Sequence, residues 1–280
     1  MERARRRFHP LHHLRTFPPV KWVRERIDRP WLVRIEGVPH PVTVRLGRNL
    51  STVLSFGMAE EREERDLLAR LARVNTCRVF WDVGANYGLY AFSLRASVPD
   101  LLVEAFEPDP DCIALLHRTL KLGGSDRVRV HPIALSDELG SMRFRRDLAT
   151  GSTGSLLARD HSSDDASDPT GDSFIIDVMA STIDAESDRL GIPDLIKIDV
   201  EGAELAVLRG ARETLRSHVP IILLECTERQ DDVRRLLEEL GYEIRDPRSP
   251  GERVGGPGMP FMALALDPQR HVLGETAGPR

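Results

Sequence analysis

The chain has 280 residues, 41% hydrophobic and 30% charged, a balance that fits one globular domain with enough apolar material for a full core. A formal net charge of −5 and only 5% aromatic residues argue against a whole-domain basic surface or stacking platforms, so nucleic acid is not an expected partner. Three widely spaced cysteines, Cys77, Cys112 and Cys226, suggest neither a disulfide framework nor a zinc site, and no apolar run reaches the ~20 residues of a membrane span.

The first 30 residues carry nine Lys or Arg against three acids, together with His9, His12 and His13. Such an arm suits contact with phosphate or an anionic membrane, and equally a solvated, loosely held start. No apolar run follows it, so a secretory signal is not expected; reduced thiols and a cytoplasmic location are. Residues 31–46 read as two short strands around a turn holding Gly37, Pro39 and Pro41. Residues 1–59 are therefore expected to form an N-terminal extension, a basic arm and a β-hairpin, with the main domain over 60–280. Leu67, Leu68, Leu71 and Val74 recur at helical spacing after an acidic start, which predicts an amphipathic helix over 60–74.

From there strands and helices alternate. Strands are expected at 78–83, 101–106, 128–133, 195–200, 221–225, 242–245 and 261–266, and helices at 90–97, 110–122, 203–216 and 231–240. This predicts an α/β fold, Rossmann-like, with a mostly parallel seven-stranded sheet and helices on both faces. Residues 147–173, rich in Ser, Asp, Gly and Thr, interrupt the rhythm and read as a long polar loop, either a cover over a site or disordered.

Three stretches carry chemistry. A strand runs into Asp82-x-Gly84-x-Asn86-x-Gly88 and then a helix, where glycines allow a sharp turn and a close ligand approach, and free amides at the helix start suit an anionic group. The spacing is not that of dinucleotide enzymes, and an acid before the turn suits an ammonium better than a pyrophosphate. At the end of the next strand, Glu107 lies about 20 residues beyond the turn, the position from which an acid accepts hydrogen bonds from ribose hydroxyls. Pro108 and Pro110 end that strand and prepare the helix after it. Finally, Lys197, Asp199, Glu201 and Glu204 crowd the end of a buried strand around Gly202, which is costly unless the charges are used or paired.

In order and spacing, Asp82-Val-Gly-Ala-Asn-Tyr-Gly88, Phe106-Glu-Pro-Asp-Pro110, Ala134-Leu-Ser-Asp137, Ser181-Thr-Ile-Asp184, Lys197-Ile-Asp-Val-Glu-Gly-Ala-Glu204 and Leu208-x-Gly210 resemble the FkbM family of methyltransferases. Ile221-Ile-Leu-Leu-Glu225 is similar to that family's next strand. The resemblance spans roughly residues 79–227 and implies a class I methyltransferase fold with S-adenosylmethionine as donor. It further implies an oxygen acceptor on a sugar, polyketide or related secondary metabolite, so the expected partner is a small molecule or glycan. By the same resemblance, Asp82, Gly84, Asn86 and Gly88 would line the methionine part of the donor, Glu107 would hold the ribose, and Leu135 and Ser136 would lie near the adenine. Asp199 and Glu201 would face the region between donor and acceptor, and either is a candidate base. His131 is a rival base, though a lone strand histidine is more often structural. Asp199 and Glu225 are candidate ligands for a divalent ion, but no close acidic pair in sequence supports one and no metal is assigned. The alternative of another class is a non-catalytic module that engages a partner through its N-terminal arm and the 147–173 loop.

Overall fold

In the computed structural model, the described residues are Trp22, 26–47, 49, 61–123, 125–147, 154–157, 173–226, 228–256 and 258–274. Most of the basic arm therefore lies outside them. A hairpin of β1 (Pro30–Val33) and β2 (Val42–Arg45) precedes α1 (Arg62–Val74). The main alternation follows: β3 (Val79–Val83), α2 (Leu89–Ser97), β4 (Leu102–Phe106), α3 (Pro110–Gly123), β5 (Val128–His131) and β6 (Ala134–Leu135). Next come β7 (Gly140–Asp147), β8 (Ser155–Leu156), β9 (Ser173–Ser181), α4 (Ile183–Leu190) and β10 (Leu195–Ile198). The remainder is α5 (Glu204–Arg209), α6 (Arg212–His218), β11 (Ile221–Glu225), α7 (Gln230–Glu239), β12 (Glu243–Arg245) and β13 (Met262–Leu266).

Seven strands form the central sheet in the order β12-β13-β11-β10-β3-β4-β5. The steps from β11 through β10, β3 and β4 to β5 are parallel, and β13 runs antiparallel to both neighbours. The chain leaves β3 toward β4 and β5, then returns to place β10 on the other side of β3. That reversal opens a crevice beyond the carboxyl ends of β3 and β10, where open α/β sheets bind ligands.

Period-2 alternation divides the strand side chains between two cores. Phe80, Val103, Ala105, Leu195, Ile221, Leu223, Leu264 and Leu266 face Leu67, Leu68 and Leu71 of α1 and the inward residues of α2 and α3. Val33, Ile35, Val42 and Val44 of the hairpin region join this same core, and the Thr43 amide donates to Thr119 Oγ1 of α3 at 2.9 Å. Trp81, Val83, Phe106, Ile196, Ile198, Ile222 and Leu224 face the other way, against α4 to α7. Full burial of each large aliphatic side chain stabilises the fold by roughly 1.5–3 kcal/mol, which makes the two-sided packing the dominant favourable contribution. No helix among the described residues is long and apolar enough to cross a membrane.

The single helix expected over 203–216 is two. Gly210 sits between α5 and α6 because a Cβ there would lie 2.0 Å from the Ser136 carbonyl oxygen. The Gly210 carbonyl accepts the Asp184 amide at 2.9 Å, and the Asp184 carboxylate receives the amides of Glu213 and Thr214, which starts α6 anew. Thr182 caps α4 through the Ala185 amide at 3.1 Å. The Ser-Thr-Ile-Asp stretch thus serves helix starts, a job that short polar side chains do well.

A second sheet, ordered β6-β9-β7-β8, was not expected from sequence. It corrects the reading of 147–173 as one polar loop: β7 and β9 flank that region, and Ser155–Leu156 within it pairs with Phe144 and Arg145. Residues 148–153 and 158–172 of that loop lie outside the described residues.

Candidate active site

The apolar strand β3 ends in a turn where Gly84 has φ +78° and Asn86 φ +52°. Gly84 is the tightest point: a Cβ would stand 1.8 Å from the Asp199 carbonyl oxygen. Four amides of the turn are already bonded. Those of Gly84 and Ala85 donate to the Phe106 carbonyl, that of Asn86 to Glu107 Oε2 at 2.7 Å, and that of Gly88 to the Ala85 carbonyl. The end of the adjacent strand β4 takes up most of this hydrogen bonding, so the amides of Gly84, Ala85, Asn86 and Gly88 are already bonded within the protein.

Glu107, at the end of β4, is 6% exposed and lies in the wall of the crevice. Its Oε1 receives the Asp109 amide at 2.8 Å, complementing the Asn86 bond on the other oxygen. Burial pushes its pKa up to about 7, against the two amides, which favour the charged form, and with a smaller push from the Asp109 carboxylate.

On the opposite side, β10 delivers Lys197 and Asp199. Lys197 pairs in register with Asp82 of β3, and its Nζ lies 3.1 Å from Asp199 Oδ2, 3.9 Å from Asp82 Oδ1 and 4.9 Å from the Tyr90 ring centre. Burial alone would lower its pKa, but the Asp199 and Asp82 carboxylates more than offset that and raise it. Burial also lifts Asp82 to about 6, although Lys197 and the Ala91 amide hold it down. Asp82 Oδ2 accepts that amide at 2.9 Å and so ties β3 to the start of α2.

The extended path ends at Ile198, and Glu201 takes φ +50°, so the alternation expected for Lys197, Asp199 and Glu201 stops short of Glu201. Asp199 and Glu201 nevertheless come together. Their carboxylates and that of buried Glu225 each offer an oxygen within 4.8 Å of the others, a spacing that would suit a hard divalent ion. Glu204 points a different way: its Oε1 accepts the Gly202 amide at 2.7 Å, and burial lifts its pKa to about 7.

The crevice has about 670 Å³ of free space counting its open mouth. Gly84, Asn86, Glu107, Leu135, Asp199 and Glu201 line it. Asp82, Gly88 and Ser136 do not; they lie behind the wall, where Ser136 is 1% exposed and donates its amide to the Ser181 carbonyl. His131 stacks on Phe106 at 4.8 Å and bonds Glu104 at 2.6 Å, a packing position on the sheet and not in the crevice lining. Sequence reasoning missed Phe144, Gly154 and Leu156, which the second sheet adds as a further wall. The signal available was the alternation Met142, Phe144, Arg146 against Arg143 and Arg145.

A profile of the family described as "Methyltransferase FkbM domain" matches residues 82–244, more than half of the chain. Among similar proteins, "Methyltransferase sdnD" of Sordaria araneosa is 28% identical over 193 residues, covering 60% of this chain and 74% of that protein. "Hexuronic acid methyltransferase AglP" of Haloferax volcanii is 31% identical over 191 residues, covering 65% of each. Among solved structures, a methyltransferase FkbM from Methylobacillus flagellatus superposes with a TM-score of 0.45 at 17% identity, over 90% of this chain and 59% of that one. The chain belongs to the FkbM family of class I S-adenosylmethionine-dependent methyltransferases.

Proposed function

We propose that the enzyme transfers a methyl group from S-adenosylmethionine to a hydroxyl oxygen of a small-molecule or glycan acceptor, a sugar, polyketide or related secondary metabolite. The observation that carries this reading is the meeting of Gly84, Asn86, Glu107 and Leu135 with Asp199 and Glu201 on one crevice at the strand-order reversal. The donor fits these residues. Its sulfonium and ammonium are cations, which suit the carboxylates near the turn, while its carboxylate would have to take donors other than the bonded amides of Gly84, Ala85, Asn86 and Gly88. Gly84 and Asn86 would lie along the methionine part, with Asp82 and Gly88 holding the turn from behind. Glu107 would take the ribose hydroxyls, each of its oxygens keeping a lone pair beyond its backbone bond. Leu135 would lie toward the adenine, with Ser136 shaping the turn beneath it.

When bound, S-adenosylmethionine supplies an electrophilic methyl on a sulfonium, and charge is neutralised as the methyl leaves. The protein's task is then to place an oxygen in line and to receive its proton, so positioning can supply much of the rate. In this reading Asp199, held by Lys197 at 3.1 Å, and Glu201 do both. The relative named for hexuronic acid supports a sugar.

Titration calorimetry with S-adenosylhomocysteine tests the donor site. Glu107→Ala is expected to weaken binding by about 10- to 100-fold, the worth of a hydrogen bond to a charged group at roughly 1.5–3 kcal/mol. The ionised carboxylate is the better acceptor, so wild-type affinity should fall as the pH drops through about 7, and Glu107→Gln should lose that dependence. Unchanged affinity in both variants would remove Glu107 from the site.

A further inference from the structure

The second sheet forms one wall of the crevice through Phe144, Gly154 and Leu156, and a buried cation ties that wall to the Glu107 side. Arg146 of β7 is 7% exposed. Its Nε donates to Asp109 Oδ2 at 2.8 Å and its Nη2 to Asp109 Oδ1 at 2.7 Å, while Nη2 also lies 2.7 Å from Asp111 Oδ2. The guanidinium rests over the Phe174 ring of β9 at 4.8 Å. Asp109 is itself anchored, since its Oδ1 accepts the Asp111 amide at 2.7 Å at the start of α3, and its own amide donates to Glu107 Oε1. Period-2 alternation places Phe144 and Arg146 on the same face of β7, so the residue that lines the crevice and the residue that anchors the strand are neighbours.

We infer that Arg146 is a positioning residue that couples the donor carboxylate Glu107 to the wall built by the second sheet, through Asp109. This rests on the reading of Glu107 as a donor-binding residue. A ligand that fixes Glu107 also fixes the Asp109 amide and carboxylate, and through the two-pronged bond it fixes β7 and Phe144. By linkage, whatever factor a bound donor adds to the affinity for an acceptor held on that wall, the acceptor adds to the affinity for the donor. The two-pronged geometry needs a planar guanidinium; a lysine supplies only a point charge.

Calorimetry with S-adenosylhomocysteine is combined with hydrogen exchange of the β7 and β9 amides, with and without that ligand. The proteins are wild type, Arg146→Gln, Arg146→Lys, Asp111→Asn, Glu107→Gln and, as a control from an ion pair away from the crevice, Arg189→Gln. In wild type and Arg189→Gln the ligand should slow exchange along β7 and β9. Arg146→Gln should lose that ligand-dependent protection and bind about 5- to 20-fold more weakly. Arg146→Lys should recover only part of both effects. Asp111→Asn keeps the Asp109 bonds and should show a smaller change of the same sign, a result that stands if Arg146→Gln does not fold. If Glu107→Gln weakens binding while Arg146→Gln and Asp111→Asn match wild type in affinity and protection, the coupling is wrong and the donor site stands. If wild type does not bind the ligand, both fall together.

Discussion

Gly84→Ala is expected to lower the free energy of unfolding by about 4 kcal/mol and to abolish measurable S-adenosylhomocysteine binding. The estimate joins about 1–2 kcal/mol for an alanine held at positive φ with a larger steric cost. The added Cβ would meet the Asp199 carbonyl oxygen at 1.8 Å, and that partner is backbone, not a movable side-chain tip. Relief requires β10 to move away from the turn, which strains the Asp199 amide bond to the Val83 carbonyl, 3.0 Å long. The same movement displaces Asp199 from the crevice. Gly202→Ala is the internal comparison: its φ is also positive, +100°, but an added Cβ meets nothing nearer than 3.6 Å. It should cost only the backbone strain. Urea denaturation of the two variants side by side separates the close approach from the conformational preference, and equal losses would show that the contact with Asp199 is unimportant.

Lys197→Met is expected to cost about 3–5 kcal/mol of stability, the penalty for removing one partner from a buried ion pair. Lys197 is 4% exposed and Asp82 1% exposed, so no solvent replaces the lost ammonium. Without it the Asp82 pKa, already at about 6 because of burial, rises further. A carboxyl whose folded pKa lies above its unfolded value contributes stability that is fully present below the unfolded pKa and lost as pH rises through the folded one. The deficit of Lys197→Met should therefore be larger at pH 8 than at pH 5. Adding Asp82→Asn should recover part of it by removing the stranded charge. Turnover should fall beyond the loss of folded protein, because Asp199 also loses the Nζ partner at 3.1 Å that fixes its carboxylate. Thermal melts across this pH range, with single and double variants, check both statements; a pH-independent deficit would show that Asp82 does not carry the charge.

Much of the central sheet was legible because its strands are short apolar runs such as Ile221–Glu225, buried at every position, set between amphipathic helices. The crevice end of the sheet was legible through the glycine turn after β3 and Glu107 after β4. What sequence could not show was how hydrogen bonds are shared between strand ends. The Phe106 carbonyl and Glu107 take the turn amides of Gly84, Ala85 and Asn86, which makes them a cross-brace between the ends of β3 and β4. Asp82 has the look of a ligand-facing acid but spends one oxygen on the Ala91 amide behind the wall. The break between α5 and α6 depends on a contact between Gly210 and Ser136, 74 positions apart, which no local pattern records. The second sheet escaped notice because β7, Gly-Ser-Met-Arg-Phe-Arg-Arg-Asp, is too charged to read as a half-buried strand unless Arg146 is known to be paired inside.

The most direct measurement of the central claim is incubation of the enzyme with S-adenosylmethionine carrying a ¹³C-labelled methyl group and a metabolite and glycan extract, followed by mass spectrometry and carbon–proton correlation of the labelled product. Transfer of one labelled methyl to a hydroxyl oxygen, lost together with turnover in Asp199→Ala, is the predicted result. Label on nitrogen or carbon, or donor binding by calorimetry with no labelled product from any extract, would contradict it.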